Sequence, residues 1–362
     1  GSVWCWGQNS HGQVGDGTST LRLLPTQVVG LPPATDIESG YFHNCARSSD
    51  GTLRCWGQNN NRQLGDGSLA DRRTPVVAAG ALVASEVASG GDASCARLDT
   101  GAVQCWGGNQ YGQLGNGTTI ASAAPVAVTG PTDAAGLTLN SGFACAWTSA
   151  AVALCWGRNN AGQLGDGTTI DRLTPTSVTG LTNVVGVVSS LSHACARLQD
   201  GTVRCWGNNH NGQLGDGTTT DRPTPAPVPG LSGVTALTAG ASHTCALLGD
   251  GTVRCWGRGD LGELGTSTNV DRPTPGTVSG LDGVVSIEAG DNHTCARMTD
   301  SSVRCWGHNA DGQVGDGTHT TRLTPGAVGT LSGVQEIRAG AGHTCARVAD
   351  GTVLCWGRNA RG

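Results

Sequence analysis

Residues 43–57 read HNCARSSDGTLRCWG, in which two short stretches are joined by Ser-Asp-Gly. A three-residue loop that ends in glycine is typical of a β-hairpin closed by a G1 bulge. This register pairs Ser48 with Thr52 and therefore places Cys45 directly opposite Cys55. Counted from the hydrogen-bonded closing pair, the cysteines form a non-hydrogen-bonded pair, whose Cα atoms lie about 4.5 Å apart. Because that distance suits a disulfide, the stretch predicts a hairpin crossed by one.

The hairpin is one copy of a 50-residue repeat that runs through the 362-residue chain without insertion or deletion. Cys-Trp-Gly recurs every 50 residues from Cys5 to Cys355, and a second cysteine precedes every copy except the first by ten residues. The same register therefore predicts seven structural disulfides and leaves Cys5 as the odd cysteine. The predicted pairs are Cys45–Cys55, Cys95–Cys105, Cys145–Cys155, Cys195–Cys205, Cys245–Cys255, Cys295–Cys305 and Cys345–Cys355.

Each repeat contains four short apolar stretches separated by Gly, Asn, Asp and Pro, and none of them has helical spacing. Four strands in a unit of about 50 residues are typical of a propeller blade. We therefore predict an all-β, seven-bladed β-propeller with four antiparallel strands per blade, forming a single domain over residues 1–362. The strands of the closing blade would be shared between residues 1–30 and 331–362.

The two ends of the chain both supply a third strand for that closing blade. Residues 3–7 and 353–357 are two copies of the same strand, and only one position is available beside Cys345. We expect Cys355, the local partner, to occupy it. Cys5 would then be free or bonded to a second molecule, and the displaced strand would permit self-assembly through the termini.

Composition and charge argue against several classes of function. The formal net charge is −5, and the 22 basic residues are all arginines, spread along the repeats without a basic stripe. Nucleic-acid binding is therefore not expected. No apolar run reaches the roughly 20 residues that span a bilayer, and no signal peptide is recognisable in the chain. Because seven disulfides need an oxidising compartment, we expect an extracellular or cell-surface protein.

Metal binding is the competing explanation for two repeated patterns. His43, Cys45 and Cys55 would project from one face, but later repeats keep both cysteines where the histidine is replaced, as at Ala93 and Phe143. The five repeat histidines are instead expected to satisfy backbone groups at a strand end. The Gly-Asp-Gly-Thr loops suggest calcium, yet each supplies few of the six to eight oxygen ligands that calcium needs. We favour an Asx-type turn with a local Asp–Arg pair, and expect no metal or cofactor.

No nucleophile, base and orienting group stand out together, so we expect no enzymatic activity. A residue repeated in every blade is usually structural, and the departures from the repeat are therefore more informative. They include the aromatic residues Tyr41, Phe42 and Tyr111 and the run Gly259-Asp260-Leu261-Gly262-Glu263.

The motif Ala-Gly-x-x-His-Thr-Cys-Ala, followed by Asp-Gly-Thr-Val-x-Cys-Trp-Gly-x-Asn and Gly-Gln-Leu-Gly, resembles the regulator of chromosome condensation repeat over essentially the whole chain. The resemblance implies a seven-bladed propeller. The nuclear founding member exchanges nucleotide on a small GTPase, whereas a secreted bacterial relative inhibits β-lactamases through the two variable residues between Gly and His. Of those pairs, only Tyr41-Phe42 has the aromatic character of the inhibitor.

We therefore predict a non-enzymatic, secreted or cell-surface binding or scaffolding propeller of the bacterial type, which engages a protein partner through loops on one face. The alternative is an inhibitor or regulator of a secreted enzyme, and a remote one is a regulator resembling a guanine-nucleotide exchange factor. A second variable set follows each Trp-Gly, at the other end of the third strand, and runs to Ala360-Arg361. The candidate partner-binding residues are Tyr41, Phe42, Asp92, Leu191, Asp291, Asn292 and Tyr111.

Overall fold

The computed structural model describes residues 1–80, 82–329 and 331–359, and its regular elements within these ranges are all β-strands. Contacts group the described residues into two compact units. The N-terminal unit comprises residues 1–160 and 166–182, and the C-terminal unit comprises residues 161–165 and 183–359. Within the described ranges, no helix has the length and apolarity needed to cross a membrane.

The N-terminal unit contains one two-stranded sheet and three four-stranded antiparallel sheets, each four-stranded sheet built from consecutive strands. The strands are β1 (Trp4–Gly7) and β2 (Arg22–Gln27); β3 (Ala34–Ser39), β4 (His43–Ser48), β5 (Leu53–Gly57) and β6 (Arg72–Val77); β7 (Ala84–Gly90), β8 (Ala93–Leu98), β9 (Val103–Gly107) and β10 (Ser122–Ala127); and β11 (Ala134–Leu139), β12 (Phe143–Thr148), β13 (Ala153–Gly157) and β14 (Arg172–Ser177).

The C-terminal unit contains three four-stranded sheets of the same order and one three-stranded sheet. Its strands are β15 (Val184–Ser189), β16 (His193–Leu198), β17 (Val203–Gly207) and β18 (Arg222–Pro227); β19 (Val234–Ala239), β20 (His243–Leu248), β21 (Val253–Gly257) and β22 (Arg272–Thr277); β23 (Val284–Ala289), β24 (His293–Met298), β25 (Val303–Gly307) and β26 (Arg322–Ala327); and β27 (Val334–Ala339), β28 (His343–Val348) and β29 (Val353–Gly357).

The hairpin between the second and third strands forms as its sequence predicts. Ser48 donates its backbone N–H to the carbonyl oxygen of Thr52 at 3.0 Å, and Gly51 adopts a φ of 80°. A positive φ strains most L-residues, so glycine is favoured at this loop position. The register then pairs Cys45 with Cys55, and the other six hairpins repeat it.

The seven predicted cross-strand disulfides are confirmed. The paired cysteines have Cα–Cα distances of 4.0 to 4.1 Å, as expected for facing residues of a non-hydrogen-bonded pair. Their sulfurs are paired with each other in disulfides, as the hairpin register predicts.

The core lies between successive sheets within each unit. In the N-terminal unit, Cys45, Leu53 and Cys55 of one sheet pack with Val87 and Trp106 of the next. The Trp106 side chain is completely buried, and its indole N–H donates to a backbone carbonyl oxygen in the preceding repeat. The Cys-Trp-Gly tryptophans thus stabilise the packing between sheets. The fourth strand, which carries the Thr-Pro proline, lies at the sheet edge, where a missing backbone N–H is tolerated.

The first and last strands belong to incomplete sheets. In the N-terminal unit β1 pairs with β2, and in the C-terminal unit β29 is the third strand of its sheet. Cys5 forms no disulfide with any described residue, and burial raises the pKa of its thiol to about 12. How a closing blade is completed, whether Cys5 bonds in trans, and whether the termini mediate self-assembly stay predictions.

Candidate functional site

A buried asparagine organises six of the seven long loops that the structure describes after third strands, a role that the sequence analysis missed. In the C-terminal unit, the Asn209 amide donates to the carboxylate of Asp216 at 3.2 Å and to the carbonyl oxygens of Thr218 and Thr220 at 3.1 Å. Its side-chain oxygen accepts the N–H of Leu214 at 3.0 Å. One fully buried side chain therefore fixes both ends of the loop.

The aspartate of the same loop forms the predicted local pair with arginine. Arg222 Nε donates to Asp216 Oδ2 at 2.8 Å, and the backbone N–H and hydroxyl of Thr218 donate to Oδ1 at 2.9 and 2.7 Å. Burial alone would raise the pKa of Asp216, but the hydrogen bonds from Thr218 and Arg222 outweigh burial and lower it. The carboxylate is therefore engaged by donors from the protein, as the Asx-type turn predicts.

Four of the five repeat histidines, His43, His193, His243 and His293, form a hydrogen bond with a hydroxyl group of the neighbouring sheet, and the expectation that they satisfy backbone groups was wrong for these four. His243 Nε2 lies 2.9 Å from Thr294 Oγ1 in the next sheet, and the corresponding distance from His293 to Thr344 is 2.8 Å. Thr294 Oγ1 in turn donates to the carbonyl oxygen of Glu263 at 3.1 Å. Burial lowers the pKa of His243 to about 3 and that of His293 to about 4. These histidines are neutral structural groups at physiological pH.

Two of the predicted binding residues, Tyr41 and Phe42, lie on an exposed surface of the N-terminal unit. Their side chains are 61 % and 36 % exposed. The Phe42 ring packs against the imidazole of His11, with ring centroids 5.8 Å apart. Tyr41 OH is 2.7 Å from Ser141 Oγ, a contact between residues 100 positions apart in sequence. Ser141 belongs to the first variable set, but neither its contact with Tyr41 nor that of His11 with Phe42 was predicted, because only the packing of the sheets brings these residues together.

Tyr111 extends this surface. The guanidinium carbon of Arg158 lies 5.2 Å from the centroid of the Tyr111 ring, within cation–π distance. Both side chains approach Gly142, because a Cβ atom at Gly142 would lie 3.4 Å from Tyr111 Cδ2 and 3.3 Å from Arg158 Cβ. We call His11, Tyr41, Phe42, Tyr111 and Arg158 the aromatic surface.

Both variable sets of loops contribute to this surface. Phe42, from the first set, accepts the N–H of Gln58 at 2.9 Å through its carbonyl oxygen, and Gln58 begins a loop of the second set. Asp92, another predicted residue, accepts a hydrogen bond from Asn61 at 3.0 Å, and burial raises the pKa of its carboxyl. Ala360 and Arg361, the last pair of the second set, lie outside the described residues.

The C-terminal unit holds the remaining predicted binding residues. Leu191 is 50 % exposed, Asp291 is exposed and Asn292 is partly buried. The carbonyl oxygen of Asp291 accepts the N–H of Ala241 at 3.0 Å, which joins neighbouring loops of the first variable set. Burial raises the pKa of the Asp291 carboxyl. Among the described residues of these loops there is no counterpart of the Tyr41-Phe42 pair.

The loop of residues 258–272 departs from the organisation of the others. Gly259 stands where other repeats have the organising asparagine, Thr266 replaces the aspartate, and Glu263 replaces a buried glutamine. Arg272 is retained, but its buried Nε has no hydrogen-bond partner among the described residues. Glu263 is completely buried, and within the described part of the chain its Oε1 also has no hydrogen-bond partner.

Comparisons with known proteins extend the resemblance seen in the sequence. Two forms of the regulator of chromosome condensation (RCC1) repeat match the chain. The first matches residues 1–47, 50–97, 100–146, 153–197, 200–247, 250–297 and 300–347. The second matches residues 34–63, 84–113, 184–213, 234–263, 284–313 and 334–362. No curated protein sequence matches the chain.

Solved structures with the same fold include human WBSCR16, at 21 % identity and a TM-score of 0.78, covering 96 % of this chain and 100 % of that one. Yeast RCC1 (Prp20), solved with Kap60, matches at 20 % identity and a TM-score of 0.76, covering 94 % and 87 %. Prp20p from Saccharomyces cerevisiae, described with its binding to Gsp1p and histones, matches at 22 % identity and a TM-score of 0.74, covering 94 % and 89 %. At these identities the similarity shows the fold alone, and it confirms the predicted seven-bladed β-propeller.

Proposed function

The chain belongs to the regulator of chromosome condensation (RCC1) repeat family, and on that premise we propose that it is a non-enzymatic propeller that binds a protein partner through its aromatic surface. Propellers of this fold bind proteins, as the solved structure of yeast RCC1 with Kap60 illustrates. The seven disulfides indicate an oxidising compartment, and we place the protein outside the cell or at its surface.

The exposed Tyr41-Phe42 pair is the observation that carries this proposal. Aromatic residues and arginine are enriched among the residues that dominate binding energy at protein interfaces. Tyr41 is held by its contact with Ser141 and Phe42 by its packing against His11, so both rings lose little freedom when a partner binds. A preorganised aromatic pair with a neighbouring Arg158 is suited to a protein partner.

The repeated polar residues support a role without catalysis. The buried Asn209, Asp216 and His243 are all engaged in hydrogen bonds that hold loops or join sheets. Their recurrence from repeat to repeat is explained by these structural contacts. Catalysis needs groups that can reach a substrate, and the aromatic surface offers rings, an arginine and a histidine paired with Asp71.

The proposal is tested by alanine substitution of Tyr41 and Phe42 together. Wild-type protein, the double variant and a matched control, Ile170→Ala, would be immobilised and exposed to secreted and surface proteins of the source organism. Ile170 is an exposed apolar residue, at 64 %, that is not among the candidate partner-binding residues. Proteins retained by wild type and by the control should bind the double variant at least about thirty-fold more weakly, since a hot-spot residue contributes about 2 kcal/mol or more.

The folded state of each variant is verified by its thermal midpoint, which should not change for exposed side chains. Equal retention by the double variant would contradict the role of the aromatic surface. Failure of the wild-type protein to retain any protein would contradict the binding function itself.

A second candidate is inhibition or regulation of a secreted enzyme, and the Tyr41-Phe42 pair favours it because the inhibitory relative uses aromatic residues at these positions. The identity of the retained protein distinguishes this candidate from simple binding. If the retained protein is an enzyme, it should lose activity when wild-type propeller is added and keep its activity when the double variant is added. The exchange-factor alternative has weaker support, because 20–22 % identity to yeast RCC1 shows the fold alone.

A further inference from the structure

Glu263 is the one member of its repeat position that carries an acid. The equivalent residues in the other loops are Gln13, Gln63, Gln113, Gln163, Gln213 and Gln313. The Glu263 side chain is 0 % exposed, so it cannot reach a substrate or partner directly. An ionised carboxylate in such a place is costly unless donors surround it.

The donors around Glu263 satisfy only half of the carboxyl group. Oε2 accepts the N–H of Leu261 at 2.9 Å, whereas none of the residues that the structure describes forms a hydrogen bond with Oε1. The guanidinium of Arg258 approaches this oxygen, with its Nε 3.7 Å from Oε1. That distance is too long for a hydrogen bond, so an ionised carboxylate would carry a charge in a buried place with only one hydrogen bond to stabilise it.

Arg258 is held away from Glu263 by another carboxylate. Its Nε donates to Asp260 Oδ1 at 2.5 Å and its Nη2 donates to Asp260 Oδ2 at 2.9 Å, which makes the pair bidentate. Arg258 Nη1 lies 3.5 Å from the side-chain oxygen of Asn292, in a variable loop. The exposed carboxyl group of Asp260 and the buried carboxyl group of Glu263 therefore compete for the same Nε–H of Arg258.

The remaining charged neighbours leave this competition intact. In the same loop, Asp271 accepts the N–H of Gly259 at 3.0 Å and attracts Arg258. From the sheet packed against the loop, Thr294 and Trp306 hydrogen-bond the Glu263 carbonyl oxygen and carry no charge.

Two buried histidines lie beyond these contacts. His243 contacts Thr294, and His293 precedes Thr294 in β24. Burial lowers the pKa values of His243 and His293 to about 3 and about 4, so both are neutral near pH 7.

We propose that Glu263 is a proton-operated switch of the loop 258–272: protonated, it leaves Arg258 bonded to Asp260, and ionised, it draws the Nε–H of Arg258 away from Asp260. Burial, the largest influence, raises the pKa of Glu263 to about 7, so the change would occur near neutral pH. Because Arg258 also approaches Asn292, the switch alters the exposed loop surface of the C-terminal unit. The proposal does not depend on the protein-binding function.

Nuclear magnetic resonance (NMR) tests the switch on the intact, disulfide-bonded chain. The protein has five glutamates, so glutamate labelled with ¹³C at the carboxyl carbon would resolve the Glu263 signal, assigned by its loss in Glu263→Gln. We expect a titration midpoint near pH 7, and the ¹⁵Nε signal of Arg258 moving with the same midpoint. Asp260→Asn removes the competing carboxylate and should shift the Glu263 midpoint to lower pH by about one unit or more.

Unfolding in urea provides a second, independent measurement. From pH 5.5 to 8.5, ionisation of Glu263 should raise the unfolding equilibrium constant of wild type at least about tenfold relative to Glu263→Gln. Glu336→Gln, which removes an acid outside the loop, is the matched control and should keep the wild-type pH dependence. A Glu263 midpoint below about pH 5 would overturn the proposal, and so would an Arg258 signal that does not respond or an unchanged midpoint in Asp260→Asn.

Discussion

Substitution of His243 by alanine should make the protein less sensitive to acid. Ala93 occupies the equivalent position, also after a glycine three residues earlier, so the chain itself contains a precedent for this substitution. Burial lowers the pKa of His243 to about 3, against about 6.5 for an exposed histidine. The unfolded chain therefore binds a proton at His243 more readily than the folded chain between these values. Stability is present above pH 6.5 and is lost as the pH falls toward 3.

The size of the effect follows from these two pKa values. Between pH 7.5 and 5.0, protonation of the unfolded state alone lowers the free energy of unfolding by about 2 kcal/mol through this histidine. His43, His193 and His293 are buried in the same way, with pKa values lowered to about 4. Glu263 acts in the opposite direction over part of this range, but its contribution cancels when two proteins that both contain it are compared.

Urea denaturation followed by tryptophan fluorescence, with disulfides intact, measures the difference. His243→Ala should be less stable than wild type at pH 7.5, because it loses the contact with Thr294 and leaves a cavity. Its free energy of unfolding should then fall by about 2 kcal/mol less than that of wild type on going to pH 5.0. Substitution of the exposed His210 by asparagine is the matched control. An equal loss in His243→Ala and wild type would refute the assignment of His243 as a buried neutral group.

Two further predictions concern the repeated contacts. Replacing Cys195 and Cys205 together by alanine should lower the free energy of unfolding by about 3 kcal/mol, as expected for a disulfide between residues ten apart. Calorimetry measures the thermal unfolding midpoint, and an unchanged midpoint would contradict this prediction. Asp216→Thr removes the carboxylate bonded to Arg222 and should lower the free energy of unfolding by about 1–2 kcal/mol. Thr266→Asp offers Arg272 a carboxylate and should raise the free energy of unfolding by up to about 1 kcal/mol. Urea midpoints that move in the opposite directions would contradict the pairing.

The fold could be predicted from the sequence because its deciding contacts are local. The Ser-Asp-Gly loop sets the hairpin register, and that register brings Cys45 and Cys55 together without reference to any other part of the chain. The 50-residue repetition then carries this local result through the molecule. The interblade packing of tryptophan follows for the same reason, since a large apolar residue in every repeat must be buried against the next one.

The candidate site could be predicted only in part. Tyr41 and Phe42 stand out because they break the repeat, and the structure leaves both rings exposed. The partners that position them, His11 and Ser141, are distant along the chain. Ser141 occupies the position of Tyr41 two repeats later, but the repeat alone does not show that the two side chains touch. The repeat pattern does not predict the hydroxyl partners of the histidines, because these partners lie one repeat further on.

The loop 258–272 illustrates the same limit. Its unusual residues were visible in the sequence, but the competition between Asp260 and Glu263 for Arg258 depends on distances of 2.5 and 3.7 Å that only the folded loop defines.

The central claim, that each hairpin of this propeller is closed by its own disulfide, is tested most directly by peptide mapping. The protein would be alkylated under denaturing, non-reducing conditions, digested and analysed by mass spectrometry before and after reduction. The structure predicts seven linked pairs, each between cysteines ten residues apart, and Cys5 in none of the seven. Linked peptides that join different hairpins, or several alkylated cysteines per chain, would contradict it.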